Sequence, residues 1–343
     1  MRSLTEILKL TFTVVGAVCG AGFIGGAEIV KFLGGNFVFS AFFVFVFFSL
    51  SLILLFNAAN VVSAKRRDIK SDFSGILTGE LFAAKEVADF TVKAAAFVLS
   101  ATSLAAVNDV TKTLLNINFP VFSIPLIIVV YLASNGGTRL LERLNLVLIP
   151  ILIVVTIVVC VKSGGDYSGA FNSDRKAPFY AALYAFLNCF MNVPVLVNSA
   201  SKKDKKTQIV CALLAPIIIC LLGVMIAATV KAKGSENTQI PLFTAISGSK
   251  IFYFAYFAAV ITSLFSSACP LFSLTKTKNH GVKFLLGSGI FSLSLIGVKT
   301  IVGALYPVLG GFGAVYLFKC FIYGRRRYKN FYTVNNKVKR GYL

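Results

Sequence analysis

Residues 16–28 read GAVCGAGFIGGAE, which places five glycines and one carboxylate, Glu28, inside an apolar segment that begins near residue 10. Each glycine in a helix interior costs ~1 kcal/mol relative to alanine. A carboxylate buried in a membrane costs several kcal/mol more unless it is paired or protonated. A continuous helix is therefore a poor solution for this stretch.

Two explanations of the glycines are open. They could let neighbouring helices approach closely, as small residues do at helix interfaces in membranes. Alternatively, the helix breaks near residues 20–26, and its freed carbonyls and amides coordinate a solute or an ion. The density of glycine beside Glu28 favours the break.

The composition predicts an all-α polytopic membrane protein. Of its 343 residues 57% are hydrophobic and only 14% are charged, with a mean hydropathy of +0.82, whereas soluble domains carry roughly 25% charged residues. Apolar blocks such as 37–56 and 144–161 approach the ~20 residues that a helix needs to cross a bilayer. Since lipid offers no water to bond the backbone, helices are the expected spans.

Ten segments are candidate transmembrane helices. They cover residues 10–33, 36–62, 90–111, 119–134, 144–162, 178–198, 208–230, 251–274, 283–298 and 301–322. The third contains Lys93, Asn108 and Asp109, so we expect neighbouring helices to shield it from lipid. The amphipathic stretch 73–90 before it is expected to lie along the membrane interface.

The net charge of +21 follows the positive-inside pattern, because the lysines and arginines fall in short loops between apolar blocks. With the N-terminus inside, the inner segments 65–70, 139–143, 202–206, 276–283 and 325–343 are all basic. This placement indicates a multi-pass protein of the cytoplasmic (cell) membrane with both termini cytoplasmic, and it argues against a nucleic-acid partner. The last inner segment is expected to be a loose extension near anionic lipid.

The sixth segment is also interrupted, by Asn188, Asn192 and Pro194. Proline frees a backbone carbonyl, and the two asparagines, four residues apart, share one helix face. An ordinary proline kink with asparagines bonding between helices is one explanation, and a binding-site interruption is the other.

The two interrupted segments open two halves of one membrane domain, residues 1–162 and 163–324, with 325–343 following as a basic tail. Five spans in each half place the halves in opposite orientations. Broken helices at corresponding positions of two halves point to the central site of a transporter.

Two motifs resemble those of a known family. Residues 20–29, GAGFIGGAEI, resemble the first-span signature of the YkvI-like membrane proteins, GAGF-x-x-G-x-E-[IL]. Residues 303–310, GALYPVLG, resemble their last-span element G-x-x-YP-x-x-G. That family looks like a branch of the amino acid–polyamine–organocation transporters, which implies the leucine-transporter fold: a 5+5 inverted repeat with the first and sixth helices unwound around a midplane site.

The resemblance also implies a possible coupling-ion site. Sodium-coupled transporters of this fold often show A-x-x-[TS]-[ST] in the eighth span, and residues 259–263, AVITS, fit that spacing. The hydroxyls of Thr262 and Ser263, with carbonyls near Cys19 and Gly22, would then bind Na+. Ser266 and Ser267 offer a competing pair, and proton coupling or no coupling remains open; no other cofactor is expected.

We therefore expect a secondary-transporter-like protein for a small organic solute, an amino acid or an amine, with Glu28 as proton carrier or counter-ion to an ammonium group. The alternative is a sensor that keeps the fold without transport, similar to the germinant-receptor membrane subunits. An enzyme is not expected, because the sole histidine, His280, lies in a basic loop and no nucleophile–base pair stands out. The oligomeric state is open. The candidate solute-binding residues are Gly20, Ala21, Gly22, Gly25, Gly26, Glu28, Asn188 and Asn192.

Overall fold

A computed structural model describes residues 2–64, 82–115, 120, 122–133, 138–201, 203–246, 250–274 and 280–339. Within these residues every regular element is an α-helix. In chain order the helices are α1 (Arg2–Val18), α2 (Ala21–Ile24), α3 (Ala27–Leu33), α4 (Phe37–Ala64), α5 (Phe82–Leu115), α6 (Ser123–Ala133), α7 (Thr138–Ser163), α8 (Ala177–Met191), α9 (Val193–Ala200), α10 (Lys205–Ala232), α11 (Pro241–Ala245), α12 (Lys250–Leu274), α13 (His280–Ser294) and α14 (Val298–Lys339).

Among the described residues, four helices are long and apolar enough to cross a membrane, judged by length and composition. They contain the stretches Phe37–Asn60, Phe90–Lys112, Lys205–Ala232 and Val298–Ile322. This confirms the expected all-helical membrane class at a coarse level, while the count of ten spans stays a prediction. In particular, the 11 residues of α6 extend only ~16 Å as a helix, against a hydrocarbon core of ~30 Å.

Several boundaries differ from those expected. Helix α5 begins at Phe82, so it includes the second half of the stretch 73–90 that was predicted to lie along the interface; the first half, residues 73–81, falls outside the described residues. Helix α14 continues to Lys339, where a loose extension was expected after residue 324. The ninth segment ends at Ser294 rather than 298, because the turn before α14 places Gly297 in the left-handed region with φ 91°.

The third segment is shielded as expected. In the most apolar stretch of α5, 67% of residues are buried, against 44% in the other three long helices. Its polar residues have partners at one end of the bundle. Asn108 Nδ2 donates to Ser294 Oγ at 3.2 Å and Asn108 accepts from Ser123, while Asp109 Oδ2 accepts from the Val298 amide at 3.2 Å.

The helices pack in a regular set of pairs. Helix α1 packs against α10 and α7, whereas α8 packs against α4 and α14. Helix α12 contacts α5, α7 and α6, while α5 also contacts α14 and α13; α4 packs against α10. Glycines allow α14 to approach α8 closely: a Cβ on Gly310 would lie 2.9 Å from the carbonyl oxygen of Leu183.

Candidate functional site

The first segment is interrupted twice. Helix α1 ends at Val18, and the Gly20 amide bonds to the Val18 carbonyl at 2.7 Å instead of continuing the helical pattern. The four residues of α2 follow. Gly26, with φ 86°, then starts α3 in a left-handed conformation that favours glycine. The predicted break at residues 20–26 is therefore present.

Other parts of the chain fill both interruptions. A Cβ on Gly20 would lie 2.9 Å from the Cβ of Ser263 in α12. The Gly25 carbonyl accepts the Leu242 amide of α11 at 2.8 Å, and the Gly20 carbonyl accepts the Ile24 amide at 3.0 Å. The carbonyls of Gly20 and Gly25 are thus already hydrogen-bonded within the protein, so in this conformation they are not the most available ligand groups.

Glu28 lies in the first turn of α3 and is only 3% exposed. Its side chain occupies the space that Gly22 leaves, since a Cβ on Gly22 would lie 2.9 Å from Glu28 Cδ and 3.0 Å from Cγ. Among the described residues, Oε2 of Glu28 has no hydrogen-bond partner, and neither a basic side chain nor a backbone amide bonds to this carboxyl.

Three buried tyrosines interact electrostatically with this carboxyl. Tyr184 of α8, Tyr256 of α12 and Tyr306 of α14 lie within electrostatic range of Glu28, and each is at most 1% exposed. The hydroxyls of Tyr184 and Tyr306 form no hydrogen bond of ordinary geometry among the described residues, although Tyr184 lies close enough to interact with Glu28, and Tyr306 with Thr102. Phe32 of α3 packs on the Tyr184 ring with centroids 5.4 Å apart. Four helices that are distant in sequence therefore converge on one carboxyl.

The sequence analysis did not single out Tyr184 or Tyr256, and it treated Tyr306 only as part of a motif. A signal for Tyr184 was available, because it precedes Asn188 by four residues and so shares the helix face that Asn188 and Asn192 define. No comparable signal marks Tyr256, since its approach to Glu28 depends on how α12 crosses the first segment.

The sixth segment is interrupted at a single residue, Asn192, which ends α8 and precedes α9. Pro194 lies in the first turn of α9, where proline is well tolerated. Asn188 Nδ2 donates to the Tyr184 carbonyl at 3.1 Å, and Asn192 Nδ2 donates to the Asn188 carbonyl at 3.0 Å. The asparagine amides therefore bond along their own helix, although Asn192 Oδ1 has no partner in the described part of the chain.

A column of serines occupies the place proposed for sodium. Ser263 Oγ lies 2.8 Å from Ser103 Oγ of α5, and Ser100 Oγ donates to Ser267 Oγ at 2.9 Å. These bonds join α5 to α12 beside Gly20 and Cys19. The Thr262 and Ser266 side chains lie outside the described residues. Ser100 and Ser103 were not predicted as part of this site. Their hydrogen bonds to Ser267 and Ser263 account for the four hydroxyls as contacts between helices, without a bound ion.

The two ends of the site are closed by contacts between segments. At one end, α11 bonds to Gly25 through Leu242. At the other, Glu6 of α1 pairs with Lys203, which follows α9. The hydrogen bond from Lys203, with its charge, lowers the pKa of Glu6 below its ordinary value. Both contacts join the first segment to a later part of the chain, and Glu28 itself is buried.

No protein-family model matches the chain, and no curated protein matches it. The resemblance to the YkvI-like proteins therefore rests on the two motifs alone. Glu28 of the first motif and Tyr306 of the second lie within electrostatic range of each other in the fold.

Proposed function

We propose that this is a secondary-transporter-like protein that binds a small organic solute carrying an ammonium group beside Glu28. The supporting observation is a set of three buried polar atoms, Glu28 Oε2 and the hydroxyls of Tyr184 and Tyr306, that form no hydrogen bond of ordinary geometry within the described chain, although Tyr184 lies close enough to Glu28 to interact with it. Buried polar groups are normally hydrogen-bonded, so an unpartnered set at a helix break indicates a place where a ligand or proton completes the bonding.

The chemistry of the site favours a cation. A charged carboxylate enclosed among apolar residues needs a compensating positive charge, and no basic residue of the described chain is among the groups that interact with Glu28. An ammonium group would donate hydrogen bonds to the carboxylate, and tyrosine rings attract cations through their faces. A proton on Glu28 is the competing occupant, so ligand and proton would exclude each other.

Exchange of the ammonium ligand and the proton requires a path from solvent to Glu28, because Glu28, Tyr184 and Tyr306 are all buried. Alternating access would open the Gly25–Leu242 contact on one side and the Glu6–Lys203 contact on the other. The basic loops assign the second of these to the cytoplasm. In this proposal the protein lies in the cell membrane, spans it ten times and has both termini inside.

The helix packing supports an internal repeat. If α1, α4, α5, α6 and α7 are exchanged with α8, α10, α12, α13 and α14 in that order, the contact pairs map onto one another. The pair α1–α10 becomes α8–α4, α1–α7 becomes α8–α14, and α12–α7 becomes α5–α14. This is the relation expected of a 5+5 inverted repeat with the two broken segments in equivalent places.

Coupling to a proton follows from Glu28 itself, whereas coupling to Na+ would use the Ser263 column. Sodium would need hard oxygen ligands, and Ser263, Ser103 and the backbone near Cys19 and Gly22 are the groups available. The described hydroxyls bond one another, so the proton is the coupling ion that we favour.

The test is solute binding and flux with the Glu28→Gln variant as the comparison. A thermal-shift screen of the purified protein against amines, amino acids and osmolytes, with and without sodium, identifies a ligand by mass action. Flux of that ligand is then measured in proteoliposomes across a range of pH. We expect Gln to remove most of the pH dependence and the affinity for ammonium compounds.

The outcomes separate the competing functions. Binding with flux supports the transporter. Binding without flux supports the sensor, the alternative drawn from the sequence. An unchanged pH profile and normal affinity in Glu28→Gln would remove Glu28 from the mechanism. Topology is tested separately by single-cysteine labelling in a cysteine-free background, where labelling of Ser201→Cys or Asn279→Cys by an impermeant reagent in intact cells would contradict the inward placement.

A further inference from the structure

A cleft of about 580 Å³ lies between α6, α12 and α13, away from Glu28 and its tyrosines. Its size falls in the ~300–1,000 Å³ range of small-molecule sites. Residues along one face of α13 line it, and α6 supplies the facing wall with Ile124, Ile127 and Ile128. Gly287 permits the close approach of the two helices, since a Cβ there would lie 3.3 Å from Ile127 Cγ2.

The cleft opens to the outside of the bundle, not to its centre. Ile124 is 47% exposed, Ile128 52% and Phe284 74%, although all three are large apolar side chains. In a membrane protein such exposure places the cleft against lipid chains. Phe272 closes its inner side and packs edge-on against Tyr131, with ring centroids 5.8 Å apart.

One end of the cleft carries a positive charge. Lys283, in the first turn of α13, places Nζ 5.6 Å from the centre of the Tyr131 ring. It is half-buried, and no acidic side chain of the described residues pairs with it. The cleft therefore combines an apolar channel with a fixed cation at the end where α13 begins.

We propose that this cleft binds one anionic phospholipid, with the phosphate-bearing headgroup at Lys283 and an acyl chain along the apolar wall of α6 and α13. Charge complementarity selects this occupant, since basic residues at a membrane surface attract anionic lipid by about fivefold per lysine. The competing explanation is a lysine that extends to the interface for solvation alone. The inference is independent of what binds at Glu28.

Tryptophan fluorescence can test it, because the chain contains no tryptophan. Phe284→Trp places a single fluorophore at the cleft, and Phe318→Trp, at a residue of α14 that is 62% exposed, is the matched control. The full-length protein is reconstituted in vesicles that contain brominated phosphatidylglycerol or brominated phosphatidylcholine. We expect quenching at position 284 to favour phosphatidylglycerol about fivefold, and quenching at 318 to show little preference.

Charge variants then locate the headgroup. In the Phe284→Trp background, Lys283→Gln should remove the preference, and Lys283→Arg should keep it because the charge remains. Lys319→Gln removes an exposed lysine of α14 outside the cleft and should change nothing at position 284. Equal preference at both tryptophans, a preference that survives Lys283→Gln, or absence of quenching by either lipid at 284 would overturn the proposal; the last outcome would mean that protein covers the cleft.

Discussion

The two interrupted segments differ in what bonds to the polar groups at their helix breaks. In the sixth segment the break is one residue long, and Asn188 and Asn192 donate hydrogen bonds along their own helix. In the first segment the break extends from Cys19 to Gly26, and α11 and α12 fill it. The sixth break is mostly satisfied locally, whereas the first leaves a buried carboxyl without a partner on Oε2. We therefore assign the ligand chemistry to the first break.

The largest expected effect is at Gly22. An alanine there would place Cβ 2.9 Å from Glu28 Cδ, so the carboxyl must move or the fold must shift. We expect Gly22→Ala to destabilise the protein by about 1–3 kcal/mol and to reduce ligand binding. Gly35→Ala is the control, since a Cβ on Gly35 meets no atom within 4 Å.

The measurement for Gly22 can use the protein's own cysteines. Of the described cysteines, Cys19, Cys160, Cys189, Cys211 and Cys320 are buried free thiols, so a thiol-reactive dye reports unfolding. A Gly22→Ala variant that melts with the wild type and binds ligand normally would show that the carboxyl does not depend on this glycine.

The next largest effect is expected at Tyr184 and Tyr306, where ligand affinity should change without a loss of stability. Tyr184→Phe and Tyr306→Phe each remove a buried hydroxyl that forms no hydrogen bond of ordinary geometry within the described chain, so melting temperature should hold or rise. Ligand affinity should fall about fivefold to tenfold, which corresponds to the loss of about one hydrogen bond to the ligand. Tyr316→Phe removes another buried tyrosine hydroxyl, on a ring that packs against Phe190.

Tyr316 is the matched control for that series. Its variant also removes a buried tyrosine hydroxyl but should leave ligand affinity unchanged. Titration of ligand in the melting assay supplies both values. Equal affinity loss in all three variants would mean that the hydroxyls act on the fold and not on the ligand.

A smaller effect is expected at the sixth break. Asn192→Leu loses the bond from Nδ2 to the Asn188 carbonyl but also removes the unpartnered Oδ1. The two changes oppose each other, so we expect a stability change below about 1 kcal/mol and a ligand affinity close to wild type. If this variant melts normally but loses binding in isothermal titration, the sixth break belongs to the site and the contrast between the segments is wrong.

The smallest effect concerns the ion pair that joins the two broken segments. Lys203 lowers the folded-state pKa of Glu6, so the pair stabilises the fold above the unfolded value of ~4.3, and this stabilisation is lost as pH falls through the lowered pKa. The pair is partly exposed, with the Glu6 side chain 37% accessible, and should contribute less than about 1 kcal/mol.

Melting curves between pH 3 and pH 7, taken as approximate limits around the Glu6 titration, check this prediction. Glu6→Gln should flatten the acid limb of the curve slightly. Lys9→Gln is the comparison, because Lys9 contacts the same carboxyl at 3.4 Å from an exposed position. A larger effect from Lys9→Gln than from Lys203→Gln would contradict the assigned cause.

The sequence by itself determined the membrane class and the positions of both interruptions. Long apolar blocks leave helices as the available spans in lipid. The glycines near Glu28 break the first segment, and Pro194, which follows Asn192, breaks the sixth. Both effects come from the backbone preferences of these residues and do not depend on distant parts of the chain. Boundaries were less certain where a turn glycine such as Gly297 ended a segment early.

Only the tertiary structure decided what surrounds each break. Tyr184, Tyr256 and Tyr306 interact electrostatically with Glu28 from three separate helices, and the Gly25 carbonyl of the first break accepts a hydrogen bond from the Leu242 amide. No spacing within the chain encodes these meetings, because they depend on crossing geometry between distant helices. The physical reason is the sequence separation of the residues involved. A helix break depends on a few consecutive residues, whereas the partner of a buried charge depends on how distant helices pack together.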